Sequence, residues 1–157
     1  MTNDIENFYL NIEHDNNPIY NQVLSWNYED LEKCHTWCQR AFPNFEPSEV
    51  VPGSPVLNID TLDFLKKNCE LKIYKMVHHF MTHYSLLMDN SIHHNNLRVT
   101  RLLKFLSVLG YNELKVNCFN YFFYCLKRHH YDEYNKVIAI NYWINALSYG
   151  REENETA

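Results

Sequence analysis

Along the second half of the chain, apolar side chains recur near helical spacing. Leu71, Ile73, Tyr74, Val77, Phe80, Met81, Tyr84 and Leu87 form one such run, which gathers on one side of an α-helix because a turn takes about 3.6 residues. Asp89, Asn90 and Ser91 close that helix. Asn95 or Asn96 is predicted to cap the next one, with Leu97, Leu102, Leu103, Leu106 and Leu109 turned inward and Gly110 as its left-handed stop. A further helix is expected from about Asn112, carrying Leu114, Val116, Phe119, Phe122, Phe123 and Leu126. It ends near the basic cluster Lys127-Arg128-His129-His130, whose charge suits a helix C-terminus. The last is predicted from about Asp132, with Tyr134, Val137, Ile138, Ile140, Tyr142, Trp143 and Leu147, and gives way at Gly150.

Upstream, Asn27 caps a helix with Glu29, Asp30 and Glu32 in its first turns, expected to run until Phe42, where Pro43 stops it. The stretch through Pro47, Pro52, Gly53 and Pro55 reads as an irregular loop. Asp60 or Thr61 then caps a helix bearing Leu62, Phe64 and Leu65, with a break near Asn68. Residues 1–26 form an N-terminal extension whose strip of Phe8, Tyr9, Leu10 and Ile12 lies across the core, and residues 151–157 form a frayed polar tail. The expectation is an all-α fold, one compact domain over 1–157 built from about six helices.

Composition narrows the function classes. Hydrophobic residues at 46% and charged ones at 21% are those of a globular protein. With only 3 Gly and 5 Pro there is little material for Gly-rich phosphate loops or flexible linkers. A net charge of -5 argues against duplex nucleic acid, whose binding is driven by Lys and Arg. The acidic start Met1-Thr2-Asn3-Asp4-Ile5-Glu6 lacks the pattern of a signal peptide, and no apolar run approaches ~20 residues, so neither secretion nor a membrane span is expected. The 5 Cys, an odd number, suit free thiols in a reducing compartment, cytoplasmic or nuclear.

Two groups of residues carry candidate chemistry. Cys34 and Cys38 stand four apart, as do His79 and His83. Two thiolates and two imidazoles from two helices would make a tetrahedral zinc site, set against the reading in which the cysteines simply pack as small apolar groups. No metal or other cofactor is expected on that second reading. Between His93 and Arg101, two Asn residues at a helix start leave backbone N–H groups for an anion, with Arg98 and Arg101 three apart beside them. The alternative is that Asn caps the helix and the Arg residues meet internal partners. No Gly-x-Ser-x-Gly, His-Glu-x-x-His or nucleotide loop occurs, so a non-enzyme is expected.

The runs Leu31-Glu32-Lys33-Cys34-His35-Thr36-Trp37-Cys38-Gln39-Arg40-Ala41-Phe42-Pro43 and His94-Asn95-Asn96-Leu97-Arg98-Val99-Thr100-Arg101-Leu102-Leu103 resemble the opioid growth factor receptor conserved domain. The similarity extends from about Asn27 to Leu147, and Cys34 and Cys38 lie off the family's pattern. The resemblance implies a helical, non-enzymatic domain, named for binding a pentapeptide in animal members. The expected function is a binding module for a small anionic or peptide ligand, with His35, Trp37, Gln39, His93, Asn95, Asn96, Arg98 and Arg101 as its contact residues. Its alternatives are a nucleotide second-messenger sponge and a protein-interaction or structural helical domain without a small ligand.

Overall fold

The structure is a computed structural model that describes residues 2–130 and 132–150. The predicted frayed tail, Arg151 to Ala157, lies outside the described residues. Among these residues the fold is all-α, with nine helices and no strand. The chain divides into two compact units, residues 1–83 and 84–157, and the division falls inside its longest helix.

The first unit begins with α1 (Asp4–Tyr9), a helix the sequence analysis passed over. Its Asn3 side chain accepts from Glu6 N–H while Glu6 reaches back to Asn3 N–H, a reciprocal cap that stabilises a short helix. Then follow α2 (Tyr20–Leu24), α3 (Tyr28–Lys33), α4 (Cys38–Ala41), α5 (Ile59–Asn68) and the first part of α6 (Glu70–Asn90). Asn27 caps α3 as predicted, accepting from Asp30 N–H at 3.0 Å. The expected continuous helix to Phe42 does not form: Cys34 turns extended at φ -85°, ψ 121°, and the chain is irregular until Cys38. The physical reason is Trp37, whose fully buried indole donates back to the Leu31 carbonyl at 2.9 Å, using an acceptor that a continuing helix would have claimed. Trp37, Phe42 and Phe80 make an aromatic cluster with ring centroids 5.9–6.1 Å apart. α5 is capped by Asn58 rather than by Asp60 or Thr61. The predicted break near Asn68 is present, with α5 ending there and α6 starting at Glu70.

The second unit holds the end of α6, then α7 (Ile92–Leu109), α8 (Asn112–Arg128) and α9 (Glu133–Ala146). α7 packs against both α8 and α9, burying Val99, Leu102, Leu103, Phe105, Leu106, Val108 and Leu109. Gly110 ends it at φ 76°, the left-handed stop the sequence called for. Two buried lysines finish neighbouring helix ends: Lys115 donates to the Leu147 carbonyl at 2.6 Å and Lys136 to the Lys127 carbonyl at 3.3 Å. Both place a cation where the helix dipole favours one. Ser107 adds hydrogen bonds to the carbonyls of Ala146 and Leu147. No helix among the described residues is long and apolar enough to cross a membrane.

Candidate functional site

The start of α7 differs from the sequence prediction in one decisive way. The helix begins at Ile92 after Ser91, so Asn95 and Asn96 sit inside its first turns and do not cap it. The Asn95 N–H donates to the Ser91 carbonyl at 3.2 Å, so it is not one of the open donors the sequence reading gave to an anion. The fully buried Asn95 carboxamide instead joins two helices: Nδ2 donates to the Leu87 carbonyl at 3.0 Å and to the Ser91 carbonyl at 2.8 Å, and Oδ1 accepts from Arg98 Nη1 at 3.1 Å. With both N–H donors and the oxygen used, this side chain locks the turn between α6 and α7.

Asn96 is held as firmly. Its Oδ1 accepts from the Tyr84 hydroxyl at 2.7 Å, and its backbone carbonyl accepts from Trp143 Nε1 at 3.2 Å. Burial pushes the Tyr84 hydroxyl well above its ordinary pKa, so it is a fixed donor at any physiological pH. Arg98 is buried at 5% exposure, Arg101 is half-buried, and His93 is exposed.

In the first unit, Trp37 and Gln39 are buried and His35 is exposed in the irregular link between α3 and α4. The zinc alternative is not formed. Because the helix breaks, Cys34 and Cys38 do not share one helical face, and among the described residues no three His, Cys, Asp or Glu side chains come together as a metal set. His79 and His83 meet edge to face on their own helix with ring centroids 4.6 Å apart, His83 Nδ1 lying 2.9 Å from the His79 carbonyl.

The most unusual surface is on α9, where the large apolar side chains point the wrong way for a core helix. Its buried positions are Lys136, Ala139, Trp143 and Ala146. Tyr134, Val137, Tyr142 and Ile144 are 71%, 54%, 59% and 50% exposed. Tyr134, Val137 and Tyr142 are among the apolar residues the sequence gives this helix, with no side assigned to them. The packed side is the one with alanines, whose short side chains let a neighbouring helix approach closely, plus one Trp.

Residues 75–156 match the family described as Opioid growth factor receptor (OGFr) conserved region. That is just over half of the chain. The chain belongs to this family. The region shared with the OGFr family contains α7, α8 and α9, and with them the whole Asn95-Asn96-Arg98-Arg101 cluster and the α9 face. The first resembling run, Leu31 to Pro43, lies ahead of the matched residues. Comparison with curated proteins and with solved structures finds no match.

Neither the lysines at the helix ends nor the inverted polarity of α9 is among the expectations from sequence. The signal for Lys136 and for the α9 polarity lay in the spacing Lys136, Ala139, Trp143, Ala146, which is itself a helical row.

Proposed function

We propose that this OGFr-family chain is a non-catalytic recognition module whose contact surface for another protein is the outward face of α9. The observation that carries this reading is the exposure of Tyr134, Val137, Tyr142 and Ile144 on a helix whose apolar residues are spread around its circumference. A helix apolar on all sides is ordinarily buried on all sides, and exposed aromatic and aliphatic side chains gathered on one element mark an interaction surface. The hydrogen bonds of Asn95 and Asn96 support the companion view that the polar start of α7 holds helices together.

A second reading keeps the small anionic or peptide ligand, a nucleotide included, at the start of α7. It is favoured by Arg98, a guanidinium buried near the start of α7, a group whose planar fork takes a carboxylate or phosphate bidentately. Photocrosslinking separates the two. A photoreactive side chain is placed at Tyr142 or at His93 of the full chain in its own cells. The α9 reading expects protein adducts from position 142 that vanish when Val137→Glu is added. Adducts from position 93 alone, or a small molecule retained through purification and lost in Arg98→Ala, would move the site to α7.

A further inference from the structure

Resting on the α9 reading above, we infer that the occupant of this face is a second copy of the same chain, with the two α9 helices packed seam to seam about a two-fold axis.

The first argument is spacing. Tyr134, Val137, Asn141 and Ile144 follow one another at intervals of three, four and three, the seam of a helix that pairs with another helix, and all four are exposed. The one polar seam position is Asn141. A carboxamide donates and accepts at once, so it is satisfied by the same group of an identical partner. A single Asn at such a position fixes register and copy number in paired helices at some cost in stability.

The second argument is charge. Between Tyr134 and Tyr149 the one charged residue is Lys136, which is buried with its Nζ on the Lys127 carbonyl. Paired helices choose unlike partners through charged residues flanking the seam. Here the flanks are Ile138, Ile140 and Asn145, with Glu133 at the helix start paired to its own Lys136 at 3.5 Å, so no unpaired charge along the seam selects an unlike helix. A chain of net charge -5 repels its own copies. An uncharged face lets two copies meet without adding like-charge pairs at the contact. A two-fold axis then makes every seam contact twice, which suits an isologous pair.

The test is sedimentation equilibrium of the full chain over rising concentration, with Val137→Glu and Asn141→Lys alongside and circular dichroism to confirm their helix content. The expected result is a wild-type mass rising from 19.0 kDa toward twice that value while both variants stay at 19.0 kDa. Either variant, if folded, suffices for the comparison. A wild-type chain that stays at 19.0 kDa at every concentration overturns self-pairing, and leaves the crosslinking experiment to judge α9 as a face for a different protein. A wild-type chain that doubles together with folded variants overturns both the self-pairing through α9 and the assignment of α9 as the contact face.

Discussion

The indole Nε1–H of Trp143 on α9 donates to the backbone carbonyl of Asn96 on α7 across 3.2 Å, while the Tyr84 hydroxyl takes the Asn96 side chain at 2.7 Å. One residue near the start of α7 is thus gripped from α6 and from α9. This fixes which side of α9 turns inward: wherever Trp143 goes, Lys136, Ala139 and Ala146 must follow, and Tyr134, Val137 and Ile144 must face out.

Trp143→Phe is expected to destabilise the chain by about 1–3 kcal/mol, through the lost hydrogen bond and the space left by the smaller ring. Urea unfolding followed by circular dichroism measures it. An unchanged midpoint would mean that Trp143 does not anchor α9.

Asn95→Ala removes the two donors that hold the carbonyls of Leu87 and Ser91, and the oxygen that accepts from Arg98. The expected loss is again about 1–3 kcal/mol, since buried polar groups lose partners that water cannot replace. Asn95→Asp should not rescue it, because a carboxylate offers no N–H to those carbonyls. Equal stability of all three proteins would show that this cluster is not structural.

Two glycines make a matched pair. Gly110 has φ +76° and open space where a Cβ would stand, so Gly110→Ala should cost about 1–2 kcal/mol from backbone strain alone. At Gly150, φ +74°, the added Cβ would meet Val108 Cγ1 at 2.9 Å, so Gly150→Ala should cost more than Gly110→Ala. The reverse order in thermal unfolding would contradict the packing of the α9 end.

Stability should also fall in mild acid. Burial holds the pKa of His79 below its ordinary value of 6.5, and the neighbouring His83 charge adds to this, against the opposing backbone hydrogen bonds of Val23 and Trp26. The unfolded chain therefore binds a proton more readily than the folded one. The contribution of this side chain is intact above pH 6.5 and is lost as pH falls toward the lower folded value. His79→Gln should flatten the part of the stability profile below pH 6.5 that this group supplies. A profile as steep as wild type would reject the assignment.

Helix boundaries set by local chemistry were legible in the sequence: Asn27 capping α3, the gap at Asn68, the stop at Gly110 and the start after Asp132. Each depends on a residue's own side chain or dihedral preference. Boundaries set by distant partners were not. The helix expected through Cys34 is broken because Trp37 finds the Leu31 carbonyl, and Asn95 spends its amide on Leu87 and Ser91 rather than on a cap. α9 shows the sharpest limit. Its apolar residues lie all around the helix, so periodicity alone gave no side, and the choice fell to Trp143 and to alanines small enough to let α7 close in.

The exposed apolar side chains of α9, Tyr134, Val137, Tyr142 and Ile144, stabilise no part of the single chain. This is tested most directly by guanidinium unfolding of the double variant Val137→Ser, Tyr142→Ser, at a dilution where sedimentation shows only the 19.0 kDa species. The account predicts an unfolding free energy within about 0.5 kcal/mol of wild type, as for surface substitutions. A loss of about 3 kcal/mol or more, the scale of truncated core side chains, would contradict it.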